Sequence, residues 1–115
     1  MHTFEYHGRQ LVVRRSEYQY GSCQQPAILC FDNSDWECSE ASGIPYGVLT
    51  VNLDDPRCEP AGDDLPLMQF LDVNNWPGIE NILKTVDWAE PSGDWMRSGW
   101  VEYPIYLFDP NIPHV

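Results

Sequence analysis

Eighteen carboxylates, four cysteines and three histidines are the groups in this sequence that could carry a reaction or hold an ion. Nine of the acids fall between Asp32 and Asp64, where Arg57 is the single base. Residues 32–37 and 54–64 concentrate hard oxygen ligands, but neither stretch keeps the alternate acids, turn glycine and closing bidentate acid of a calcium loop. Cys23, Cys30, Cys38 and Cys58 contain no Cys-x-x-Cys pair, which argues against zinc and thioredoxin chemistry. His2, His7 and His114 lie in the terminal segments or a turn, with no carboxylate set to orient any of them as a base. The Gly-x-Ser-x-Gly elbow and the Walker and dinucleotide loops are absent. The expectation is a protein without catalytic residue, metal or cofactor. A glycosidase-type pair could be drawn from so many acids, yet nothing selects one.

Charge narrows the partners. Six Lys and Arg leave a formal net charge of −12, so a phosphate backbone is repelled and direct nucleic-acid binding is disfavoured. Half of the bases sit early, at Arg9, Arg14 and Arg15. No stretch reaches the ~20 apolar residues that cross a bilayer, and the acidic surface argues against anionic membranes. The opening residues MHTFEYHGRQ hold no apolar run that could serve as a signal peptide. A cytoplasmic protein with free thiols is expected. At 43% hydrophobic and 13% aromatic residues the chain is too apolar for a disordered tail, and residues 1–115 are expected to form one compact domain.

The elements that must position these groups can be read from pattern. FEYHGRQLVVRR predicts a hairpin that places Phe4 and Tyr6 against Leu11 and Val13, turning at His7-Gly8-Arg9. PAILCFD predicts a buried central strand with Cys30 in the core, and YGVLTVNL is the clearest strand. Residues 54–66 hold three prolines, a glycine and six charges and predict one exposed loop. In FLDVNNWPGIENILKTV, Asn74 or Asn75 is expected to cap a helix, with Asp72 hydrogen-bonding the turn. Ile79, Ile82, Leu83 and Val86 form its apolar stripe, and Glu80 and Lys84 its surface pair. EPSGDWMRSGW predicts a loop, and VEYPIYLF a last strand that Pro104 confines to an edge or a bulge. The expected fold is α+β, an antiparallel sheet of about five strands with one helix packed on one face. Trp76 and Trp88 are expected in the core, while Trp95 and Trp100, beside glycines, are candidates for contact with a partner.

Three blocks, GVLTVNL (residues 47–53), FLDVNNWP (70–77) and SGWVEYPIYLF (98–108), together resemble a small family of uncharacterised proteins encoded by bacteria, plasmids and phages. They span just over half of the chain, in order. The resemblance brings no catalytic residues with it. Its mobile-element setting implies a role in conflict between phage or plasmid and host, of the anti-CRISPR kind. The segment from Ser22 to Cys58 departs from the family pattern in being longer and more acidic.

These lines converge on a non-enzymatic inhibitor of a bacterial nucleic-acid-targeting defence complex, of anti-CRISPR or anti-restriction type, acting in the host cytoplasm. Its acids would replace phosphates in a basic channel of a protein subunit. Asp54, Asp55, Glu59, Asp63 and Asp64 form the first candidate group, Asp32, Asp35 and Glu37 the second, and Trp95 and Trp100 the aromatic contacts. Two other readings stand beside it. A small hydrolase or carbohydrate-binding module requires a concave aromatic pocket and a carboxyl of raised pKa, and an accessory structural protein of a mobile element requires neither.

Overall fold

A computed structural model describes residues 2–18, 25–32, 44–53, 55–58 and 65–115. Its strands form two antiparallel four-stranded sheets, and its α-helix is five residues long. The expected five-strand sheet under a full helix is therefore wrong. The first sheet orders β1 (Thr3–Tyr6), β2 (Arg9–Glu17), β3 (Pro26–Asp32) and β4 (Ile44–Val48) as a simple meander. The second contains β5 (Thr50–Val51), β6 (Leu67–Leu71), β7 (Ala89–Ser98) and β8 (Val101–Phe108), with β8 lying between β6 and β7. Among the described residues no helix is long and apolar enough to cross a membrane.

The first hairpin forms as the alternation requires, with Phe4, Tyr6, Leu11 and Val13 all buried. Its turn is His7-Gly8 alone, because Arg9 already pairs with Tyr6. Both turn residues have positive φ, 49° and 78°, the backbone of a type I′ turn. β3 lies inside its sheet, paired with β2 and β4, and burial pushes the pKa of its Cys30 thiol well up.

YGVLTVNL is not one strand. The chain leaves the first sheet at Leu49 and enters the second at Thr50. The Leu49 N–H donates to Ile28 O at 2.8 Å, and its carbonyl accepts from Asp72 N at 2.9 Å, so one residue bonds to both sheets. Thr50 Oγ1 accepts from Ile28 N at 3.1 Å, which satisfies a β3 donor where the departing backbone no longer does.

Of the 54–66 stretch, the described residues 55–58 are more structured than a plain loop. A 3-10 turn, Pro56–Cys58, buries Cys58 against Phe70 and Ile105, and Gln25 Nε2 donates to Asp55 O at 2.9 Å.

The helix α1 (Ile79–Leu83) follows Gly78, whose φ is 79°, and carries no side-chain cap. Neither Asn74 nor Asn75 is its N-cap. The capping chemistry is spent one turn earlier: Asp72 Oδ1 accepts from Asn75 N at 3.3 Å and Oδ2 from Asn75 Nδ2 at 2.7 Å. Trp76 N donates to Asp72 O at 3.2 Å, closing residues 72–76 as a single turn that Gly78, at positive φ, separates from the helix. Asp72 does bond the turn, as its sequence position suggested. Ile79 and Leu83 are buried, with Ile82 and Val86 packed beside them. Glu80 does not pair with Lys84; it accepts from Tyr106 Oη at 3.1 Å, while Lys84 Nζ reaches Asn81 Oδ1 at 3.5 Å. Burial and the Glu80 charge push the Tyr106 pKa up to about 12. Asp72→Ala should lower stability by about 1 kcal/mol, because it removes the buried carboxylate that closes the turn, while the two donors it frees on exposed Asn75 can turn to water. Urea unfolding measures it.

The main core draws on both sheets and the helix, with Phe4, Leu11 and Ile28 meeting Leu71, Tyr106, Phe108 and Leu83. Trp76 belongs to it, with ring centroids 5.0 Å from Tyr6, 5.6 Å from Tyr46 and 6.2 Å from Phe4. Its Nε1 donates to Val48 O at 2.9 Å. The indole lies so close to β4 that a Cβ on Gly47 would sit 3.2 Å from Trp76 Cζ2. With the indole held by a hydrogen bond and three rings, Gly47→Ala should cost about 1–3 kcal/mol through overpacking. A thermal melt reads the loss directly.

Candidate functional site

EPSGDWMRSGW, expected as a loop, forms β7 and the turn into β8. Its two glycines are local features within the hairpin. Gly93, at φ 94°, sits in a bulge where Ser92, Gly93 and Asp94 oppose Ile105 alone. Ser92 Oγ donates to Ile105 O at 2.8 Å and accepts from Asp94 N at 3.2 Å, fixing the bulge. Gly99, at φ 63°, and Trp100 connect the paired residues Ser98 and Val101. Trp100 has no positive φ, so the turn is type II′ with glycine first.

β6 pairs with β8 only from Ile105 to Phe108. Beyond it, residues 95–98 and 101–104 continue as a two-stranded arm. Pro104 falls one residue past that pairing, which is how a proline is tolerated in a strand that is central rather than an edge. An Arg97–Glu102 ion pair of 2.9 Å crosses the arm. Met96 and Tyr103 pack against the cluster of Cys58, Phe70 and Ile105, tying the arm to the sheet. At its end Trp100 is 99% exposed, and Trp95 on its flank is 55% exposed. Trp76 and Trp88, by contrast, are buried.

The acids chosen from sequence divide differently. Asp54, Glu59, Asp63, Asp64, Asp35 and Glu37 lie outside the described residues. Asp55 is engaged by Arg57, which donates from N, Nε and Nη2 at 2.8, 3.1 and 2.9 Å; those bonds hold its carboxyl below the usual range. Asp32 forms an ion pair of 3.4 Å with Arg9. Both are neutralised within the molecule. Glu5, Asp87, Glu90 and Asp94 stand exposed outside the acidic run, so a reading based on clustered charge passes over them.

Two histidines do meet carboxylates: His2 Nε2 lies 3.0 Å from Asp109 Oδ2, and His114 Nε2 lies 2.8 Å from Glu17 Oε2. Separations of 107 and 97 residues hide both pairs from sequence. They fasten the segment after β8 alongside β2, where Arg15 N donates to Pro113 O at 2.9 Å and Val115 N to Arg15 O at 3.0 Å. Hydrogen bonds with Val115 O and Glu17 raise the His114 pKa, whereas the His2 bond lowers that of Asp109. The His114 contribution is complete below its unfolded value near ~6.5 and lost as pH rises through the raised folded value. The Asp109 contribution is present above ~3.9 and lost as pH falls through the lowered value. Amide exchange at Val115 should accordingly quicken, beyond its intrinsic pH dependence, on raising the pH past the His114 titration. In His114→Ala that extra step disappears.

Tyr6, Tyr46, Gly47, Val48, Asp72, Asn75 and Trp76 line a hollow of about 340 Å³, in which Asp72 is already committed to Asn75. A second hollow of about 500 Å³ runs past Lys84, Asp87, Trp88, Glu90 and Asp109. Among the described residues, the carboxyls of Asp55 and Asp109 are held below their ordinary value, opposite to what a general acid needs. Among the described residues no group of three or more His, Cys, Asp or Glu is placed to hold a metal ion. The chain matches no protein-family model, no curated protein and no solved structure.

Proposed function

We propose that the protein is a non-enzymatic acidic inhibitor that docks in the basic nucleic-acid channel of a bacterial defence complex. The observation that carries this reading is the arm: a bare tryptophan at the tip of a braced hairpin in a molecule of net charge −12. Exposed large aromatics on a rigid support are typical anchors of protein interfaces, and a surface dominated by carboxylates steers association with a basic partner. Arg9, Arg57 and Arg97 each pair with a carboxylate, which leaves little cationic surface to oppose that approach.

The test is functional and then physical. Expressed in strains that each carry one RNA-guided or restriction defence, the protein restores phage plating in at least one of them. The complex it blocks is then retained on immobilised protein at physiological salt and partly released near 1 M, where the Debye length falls to about 3 Å. Absence of rescue across the panel would overturn the proposal.

A further inference from the structure

β7 ends its sheet: its partner is β8, and among the described residues no strand pairs with its outer side. The register says which groups that edge offers. In a two-residue hairpin the pair flanking the turn, here Ser98 and Val101, exchanges its backbone bonds, and bonding alternates from pair to pair. Met96–Tyr103 is therefore a bonded pair, and Arg97–Glu102 and Trp95–Pro104 are not. The N–H and C=O of Trp95 and Arg97 face away from β8. Pro104 fits this phase, since its missing N–H falls where no β7 bond is due.

Pro91 and the Ser92–Asp94 bulge interrupt the edge on one side of this segment, and the Gly99-Trp100 turn ends it on the other. What remains is a short, open stretch of strand with an exposed indole on its flank and another at its end. Along the two strands of the hairpin stand three carboxylates, Glu90, Asp94 and Glu102, against one guanidinium, Arg97, which Glu102 already pairs; Arg57, bound to Asp55, lies close enough to feel the Asp94 charge as well. We propose that residues 95–98 receive an extended basic segment of the partner protein as an added strand. This deepens, and rests on, the inhibitor reading. Backbone bonds to Trp95 and Arg97 set the register, the carboxylates select basic side chains, and the indoles cover the added strand.

A short capped peptide of alternating lysine and valine is the probe. Titrated into the protein, it should slow hydrogen exchange at the Trp95 and Arg97 amides, and a backbone N-methylated version of the same peptide should bind at least about tenfold more weakly. Arg97→Pro removes one outward donor without breaking a β7–β8 backbone bond, and should weaken the peptide by a similar factor; Arg97→Ala, which loses the same side chain and its Glu102 ion pair but keeps the backbone N–H, should not. Equal binding of the methylated peptide, or protection elsewhere in the chain, would sink the edge proposal without touching the inhibitor reading. A wild-type dimer that seals this edge would assign it to a second copy of the chain and also overturn the proposal. If Arg97→Pro keeps full phage rescue, the inhibitor does not use the edge; if the wild type rescues no strain, the inhibitor reading itself has failed, whatever the peptide does.

Discussion

Trp76→Ala should lower stability by about 3–5 kcal/mol, the largest loss expected from a single substitution here. The indole is 4% exposed, fills the space between Tyr6, Tyr46 and Phe4, and satisfies Val48 O. Truncation leaves a cavity beside the place where the chain changes sheets, together with a carbonyl that has lost its donor. Against a total of about 5–15 kcal/mol for a domain of this size, the variant should melt more than about 10 °C lower. Trp76→Phe separates the two parts: it keeps much of the volume but not the hydrogen bond, and should cost about half as much or less. Differential scanning calorimetry on the three proteins decides.

Trp100→Ala should do the reverse, leaving the melting temperature within about 1 °C while weakening capture of the defence complex about 30-fold or more, the 2 kcal/mol or greater that an anchoring tryptophan typically carries. The separation is sharp because Trp100 is almost wholly solvated, so its removal takes no packing from the folded state. Trp95→Ala, half-exposed on the flank, should fall between. Measured by biolayer interferometry, the loss at Trp100 should appear mainly as faster dissociation, whereas Glu90→Lys and Asp94→Lys should slow association and change its salt dependence. A Trp100→Ala protein that binds and rescues phage like the wild type would remove the arm from the mechanism.

Local patterns were legible where local chemistry decides. The first hairpin, the interior position of PAILCFD, the role of Asp72 in its turn and the burial of Trp76 and Trp88 can all be read from neighbouring residues, whereas the hairpin turn proved one residue shorter than His7-Gly8-Arg9. The helix was overestimated because its stripe, Ile79 to Val86, has helical spacing, whereas Asp72 and Gly78 consume the preceding residues in a turn. β7 was missed because glycine and proline usually punctuate loops; here Gly93 makes a bulge and Pro91 lies on a sheet edge, both permitted within a strand. The sheet change at Leu49 has no residue signal, since VLTVNL alternates well enough for one continuous strand. As for the candidate site, the glycines beside Trp95 and Trp100 marked them as candidates for contact, and their exposure is what the fold adds. The two histidine–carboxylate pairs and the engagement of Asp32 and Asp55 depend on tertiary proximity or on a turn that charge counting does not reveal.

Those same three blocks, GVLTVNL, FLDVNNWP and SGWVEYPIYLF, mark the sheet change, the Asp72 turn and the tip of the arm. Each fits a geometric demand of the fold, whatever partner the protein meets. Leu49 has the widest reach. Because its amide bonds to β3 and its carbonyl to Asp72 at the end of β6, neither sheet can open at that point without releasing the other. The protein should therefore unfold as a single cooperative unit: protected amides in β3 and β6 should exchange through the same global opening and respond alike to denaturant. The arm is tied into that same unit where Met96 and Tyr103 pack on Phe70 and Ile105, so the exposed indole at its end is carried by a body that gives way only as a whole.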